Sequence, residues 1–235
     1  MLLSSSVTSD TLTADAADAP LVPDGRKVKG DKTRRAILQT AVNVASVEGL
    51  EGLSIGRLAT ELKMSKSGLF AHFGSKEELQ ISTVRAAGAI FTHRVVRPAE
   101  EGHEPGLARL CAMLIAWLDY MERSSFAGGC FFAAATVEMD GRPGPVRDAV
   151  AAQMTLWAGL LSDYTRDAIA RGELRPETDP EQLAFEVDAL GSAVSSGWLL
   201  SQDPVVFRRG HQAILRRLEA DATEAGRAVL AAAAH

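Results

Sequence analysis

Apolar positions recur at three- and four-residue spacing from about residue 31 to residue 219, and no β-branched run alternates with polar residues over a useful length. That pattern predicts helices throughout. Ile37, Ala41, Val44 and Ala45 form one stripe of a first helix, 31–47, which Asp31 is placed to cap. Gly49 and Gly52 are available to end it in a left-handed turn. Ser54 caps a second helix, 55–62, and Lys63-Met64 makes a tight turn. Ser65 caps a very short third helix ending near His72, and Gly74 breaks it. Ser75, with Glu78 three residues on, has the form of a capping box for a fourth helix, expected to stop at Arg97-Pro98.

Beyond a loop at 99–105, helices are expected at 107–123, 130–139, 145–171, 180–200 and 204–219. Prolines at 145, 180 and 204 suit first-turn positions. The alanine-rich tail, 221–235, is expected to prolong the last helix or fray. Residues 1–25 have no hydrophobic period and are rich in Ser, Thr, Asp, Ala and Pro, which predicts a disordered leader, followed by a short basic arm at 26–30. The expected fold is all-α, with about nine helices. Its parts are a leader (1–28), a small N-terminal head (29–76), a larger helical body (77–220) and a tail (221–235).

Composition changes this picture little, but the charge distribution matters. The 235 residues carry a net charge of −5. Residues 26–76 hold ten Lys or Arg against four acids, a local +6, so the remainder carries −11. A basic head on an acidic body fits a protein that sets one end on nucleic acid. Two distant cysteines, Cys111 and Cys130, make neither a disulfide framework nor a zinc motif. There is no signal peptide pattern, and the longest uncharged stretches are too short to span a membrane. A soluble, cytoplasmic protein without cofactor or metal is the expectation.

The stretch SIGRLATELKMSKSGLFAHF, residues 54–73, has the form of a helix-turn-helix. Ile55, Leu58, Ala59 and Leu62 face inward on its first helix, and Leu69 and Phe73 on its second. Ser65, Lys66, Ser67, Gly68, Ala71 and His72 are left to point outward from the second. With the GSKEEL that follows and the helix before it, roughly residues 32–80, this segment resembles the tetracycline-repressor (TetR/AcrR) family. The stretch GGCFF…RPGPVRD, 128–148, is similar to the sensor domain of one subgroup.

The resemblance implies a dimeric transcription regulator that binds double-stranded operator DNA and responds to a small-molecule effector. By position, Ser54 and Arg57 would lie near phosphates, Lys66, Ser67 and Gly68 near base edges, and His72 and Lys76 on the flanking backbone. Lys32, Arg34, Ser65 and Phe70 complete the candidate DNA-contacting set. Phe70 stands where the family more often has Tyr, so a phenolic phosphate contact is missing. Base readout is then sparse, with more weight on phosphates and DNA shape.

In the body, Met113, Trp117, Phe126, Cys130, Phe131, Met154, Trp157 and Tyr164 are candidates for a pocket that takes an apolar or aromatic effector. Phe185 and Trp198 are further large side chains there, and His103 is a possible polar contact. Core packing is the simpler reading for any single one. The small-residue run 188–197 suits close helix approach, and helices 180–200 and 204–219 are the expected homodimer interface. A ligand-independent DNA binder or an activator on the same head are the alternatives. An enzyme using Cys130 is the least supported, since no base is placed beside it and no catalytic motif is present.

Overall fold

The computed structural model describes residues 25–123 and 126–233. Among these the chain forms eleven α-helices and one π-helical turn and no strand; Leu174 and Ala222 meet in an isolated antiparallel bridge. The first helix, α1 (Gly25–Gly52), begins before Asp31 and absorbs the segment expected as a basic arm. Gly30 is the one weak helix former there, a cost of about 1 kcal/mol that its neighbours outweigh. Asp31 therefore lies inside the helix. Up to residue 24, the expected leader lies outside the described residues.

The regular part of α1 ends at Gly49, whose φ of 77° is the left-handed turn the glycines suggested. Then come α2 (Ile55–Glu61), α3 (Lys66–Phe73) and α4 (Lys76–Phe91). Each is opened by the expected serine. Ser54 Oγ accepts from Arg57 N at 3.1 Å, Ser65 Oγ from Gly68 N at 3.1 Å and Ser75 Oγ from Glu78 N at 3.0 Å. Between α2 and α3 the chain turns at Lys63, with φ 53°.

Pro98 does not end the fourth helix. A π turn at Thr92–Val96 follows α4, and the chain continues as α5 (Arg97–Gly102). A proline ring clashes with the carbonyl four residues back and offers no N–H. The π turn resets the register just ahead of it, with Arg97 N bonding Thr92 O, so Pro98 falls in the first turn of α5, where it is tolerated.

Helices α6 (Leu107–Glu122), α7 (Phe131–Met139), α8 (Pro145–Ala170), α9 (Pro180–Ser201) and α10 (Val205–Asp221) begin and end within two residues of the expected positions. Through residue 233 the tail does not prolong α10; residues 234–235 lie outside the described residues. It turns at Ala222 and forms α11 (Glu224–Ala233), which docks on α6 with Leu230 buried. Thr223 N donates to Glu173 O at 3.0 Å at that turn.

A single core runs from Ile37 to Leu230. Helix α6 lies at its centre, with Leu107, Leu110, Met113, Leu114, Leu118 and Met121 all buried. In the head, Ile37, Leu58, Leu69, Phe73 and Leu79 close a smaller part of the same core. Head and body join along α4 and along a second seam, between α1 and α7, that the sequence did not announce. Glu138 on α7 accepts from Leu50 N at 2.7 Å and from Glu51 N at 2.8 Å, two backbone groups left free by the break at Gly49. A Cβ on Gly128 would overlap the Ser46 carbonyl, so the loop before α7 lies directly on α1.

Candidate nucleic-acid interface and effector cavity

Helix α3 buries Leu69 and Phe73 and turns its other side outward. Ser65, Lys66, Ser67, Phe70 and Ala71 are exposed, Phe70 by 53%. Gly68 and His72 are half-buried. A Cβ on Gly68 would sit 2.9 Å from Ser65 Oγ, so glycine here leaves room for the cap that starts the helix. Among the described residues nothing covers this edge, and its amino-terminal end carries the partial positive charge of the helix dipole.

Several basic residues assigned to DNA are engaged inside the head. Arg34 donates to His72 O at 2.6 Å and to Ser82 Oγ at 2.9 Å, and stacks 4.5 Å over the Phe73 ring. It ties α1 to the end of α3 and to α4. Arg57 is gripped by Glu48 at 2.8 Å and Glu61 at 2.7 Å, a clamp between α1 and α2. The same guanidinium holds the Glu48 carboxyl below its ordinary value, first through its hydrogen bond. Lys76 donates to Glu51 O at 2.8 Å and Glu51 Oε2 at 3.1 Å, and that bond is the first cause of the lowered Glu51 pKa. Ser54 and Ser65 spend their hydroxyls on caps. Lys32 and Lys66 are exposed, and no ion pair engages either among the described residues. The head therefore presents a smaller free basic surface than the residue count implies.

Behind the head, a cavity of about 290 Å³ opens among α4, α6, α7, α8 and α9. Of the eight expected pocket residues, Trp117, Cys130, Met154 and Trp157 line it. The other four do not. Met113, Phe126 and Phe131 are buried core, and Tyr164 lies elsewhere, donating to Glu100 Oε1 at 2.6 Å. His103 is exposed on a loop, where its carbonyl accepts from Arg109 at 2.8 Å. Burial raises the Cys130 thiol pKa, which makes it a poor nucleophile.

Phe91, Phe132, Gln153 and Asp188 also line the cavity and were not anticipated. Phe132 adjoins Phe131, and a helix sends neighbouring residues about 100° apart, so one faces core and the other cavity. Asp188 had a signal: it is the last acid before the uncharged stretch that fills the rest of α9. Its Oδ1 accepts from Trp157 Nε1 at 2.9 Å, and burial raises its pKa.

The small residues of α9 divide between two faces. A Cβ on Gly191 would overlap the Trp117 ring, and Gly197 faces Val206, so these serve packing within the chain. Ala189, Ser192, Ala193 and Ser196 are exposed, beside Phe185 at 70%, Leu199 and Leu200 at 89%. Helix α10 exposes polar side chains instead: Arg208, Arg209, Gln212, Arg216 and Glu219. Among the described residues, no helix is long and apolar enough to cross a membrane and no His, Cys, Asp or Glu cluster is arranged to hold a metal ion.

A family model described as bacterial regulatory proteins, tetR family, matches residues 37–82, and one described as tetracyclin repressor-like, C-terminal domain, matches residues 106–214. The first spans the capped helix-turn-helix, the second most of the cavity-bearing bundle. The chain belongs to the TetR family of transcriptional regulators. Among TetR-family relatives, the HTH-type transcriptional regulator TcmR of Streptomyces glaucescens is 25% identical over 83% of this chain and 85% of its own length. A TetR transcriptional regulator from Chloroflexus aurantiacus has the same fold, with a TM-score of 0.76 and 24% identity over 83% of this chain and 98% of that one. AibR, solved with isovaleryl coenzyme A and operator DNA, aligns with a TM-score of 0.61 and 22% identity over 77% of this chain and 95% of its own.

The position of Arg34 makes a prediction for this TetR head. Arg34→Lys removes the planar fork and the ring stack together. Stability should fall by about 1–2 kcal/mol. The measurement is thermal denaturation without DNA. An unchanged melting temperature, with only DNA affinity reduced, would return Arg34 to a phosphate-contacting role.

Proposed function

We propose that the protein is a ligand-responsive repressor that binds a palindromic operator as a homodimer and is released when a small apolar or aromatic effector enters the cavity. The observation that carries this is the pairing of an uncovered leading edge on α3 with a cavity lined by the far end of α4. That helix is capped in the head at Ser75 and reaches the cavity at Gly88, Phe91 and Thr92. AibR, a protein of the same fold, holds both an acyl coenzyme A and operator DNA.

Two recognition helices, one per protomer, would enter successive major grooves about 34–36 Å apart. The exposed face of α9 supports an apolar centre for the pairing, and the polar edge of α10 supports its rim. An effector acts by its different affinity for the DNA-bound and released states. It has two mechanical routes to the head. One is α4, where Gln153 packs against Gly88. The other is α7, whose Phe132, Ala133 and Thr136 line the cavity while Glu138 holds the end of α1.

Footprinting on the gene's own upstream region tests the reading and should show two symmetric half-sites. Lys66→Ala should weaken operator binding on the order of tenfold and reduce the slope of log K against log salt by about one per protomer. Unchanged binding across salt concentrations would remove Lys66 from the interface.

Phe185→Glu places a charge on the exposed α9 face and should shift the protein from dimer to monomer in sedimentation, with loss of operator binding. A variant that stays dimeric would move the interface elsewhere.

Glu138→Gln removes the carboxylate that takes both Leu50 N and Glu51 N. Amide exchange at those two residues should accelerate about tenfold, as expected for losing a charge-assisted bond. Unaltered exchange would show that the α1–α7 seam is held by packing alone.

A further inference from the structure

The cavity is aromatic on several sides and charged at one point. Phe91, Trp117, Phe132 and Trp157 contribute rings to its wall. Trp157 stands edge-on to Phe91 at 5.1 Å between centroids and to Trp117 at 5.1 Å. Phe132 meets Phe91 at 6.5 Å and 90°. Among the described residues, Asp188 is the single charged side chain in the lining, and no Lys, Arg or His accompanies it there. Its one hydrogen-bond donor is neutral, the Trp157 indole.

A half-buried carboxylate beside a neutral donor, with no cation in the cavity wall, is poorly compensated, and more so once a ligand closes off the water. The burial that raises its pKa is that shortage expressed as a proton equilibrium. Aromatic faces carry negative electrostatic potential and attract cations, more strongly once both are out of water. An anionic ligand would be repelled by Asp188. An uncharged apolar ligand would fill the volume and leave Asp188 as poorly matched as before.

We propose that the cavity takes a small organic cation, a protonated or quaternary amine on a single-ring or branched apolar body, with its charge between Asp188 and the rings of Trp157, Trp117 and Phe91. This rests on reading the cavity as the effector site and names the effector's chemical class. The volume of about 290 Å³ is near the lower end of small-molecule sites, which suits a compact ligand.

The test uses full-length protein and three probes of matched size. Benzyltrimethylammonium carries the charge, neopentylbenzene is its uncharged carbon isostere, and phenylacetate carries the opposite charge. Binding is read by quenching of tryptophan fluorescence, since Trp117 and Trp157 line the cavity. The cation should bind on the order of tenfold tighter than the isostere. Phenylacetate should be the weakest. Asp188→Asn should erase the preference for the cation while the isostere still binds, because the amide oxygen can still accept from Trp157.

Equal binding of cation and isostere, tighter binding of phenylacetate, a preference that survives in Asp188→Asn, or no quenching by any probe each overturns the proposal. A gel shift with the footprinted upstream DNA separates it from the regulator reading. DNA binding without any preference for the cation sinks the proposal alone. An Asp188-dependent preference for the cation in a protein that ignores DNA leaves the cavity chemistry standing and sinks the regulator.

Discussion

An eight-residue helix is not stable alone in water, and α3 is that short. Its exposed edge exists only because the rest of the head holds its rear. Leu69 and Phe73 anchor it below, Ser65 fixes its start, and Arg34 grips its last carbonyl turn while lying on the Phe73 ring. A surface meant to meet a partner must stay free of its own chain, so it contributes little to its own stability. The head resolves this by placing the packing contacts of α3 on the side away from solvent, with only the Ser65 cap on the exposed edge.

The same demand explains where the basic residues went. A positive segment of sequence suggests phosphate contacts, yet Arg34, Arg57 and Lys76 have partners inside the head. Each ties helices that are adjacent in space but separated in sequence. Half-exposed pairs of this kind contribute modestly one by one. Their geometric effect is larger, because a bidentate guanidinium fixes orientation as well as distance. Net charge over a segment reports the availability of charge and not its direction; the acids at 48, 51 and 61 take Arg57 and Lys76, while Arg34 turns to a carbonyl, a hydroxyl and a ring.

The elements were legible where local chemistry writes a boundary. Ser54, Ser65 and Ser75 cap the helices they were expected to cap, and the regular part of α1 ends at Gly49. Boundaries failed where a signal had a second solution. Asp31 resembles a cap, but the helix begins at Gly25 and runs through it despite the weak helix former at Gly30. Pro98 resembles a stop, but a π turn accommodates it. The cavity was half legible for a different reason. Helix α6 buries Met113 and Trp117 on the same inner side, and its apolar period separates core from solvent but not core from cavity, so the two were equal candidates until their neighbours were known. Trp117 faces the cavity because Gly191 lets its ring lie against the α9 backbone, a long-range fit that no local pattern carries.

The cavity and the exposed face of α9 are not separate features. Ser192 and Ser196 belong to both, lining the cavity and lying exposed among Ala189, Ala193 and Leu200. Leu156 and Val137, also exposed, form further parts of the cavity wall. With a second copy seated on α9 as proposed, the partner lies beside the cavity mouth. Ligand entry and subunit pairing then share side chains, so occupancy of one changes the surroundings of the other. Coupling between two such sites requires only that each ligand distinguish two arrangements of shared residues. On the proposed reading, α9 would belong to the switch as much as α4 and α7. A shift at Asp188 moves a helix that carries the cavity wall on one side and the apolar pairing face on the other.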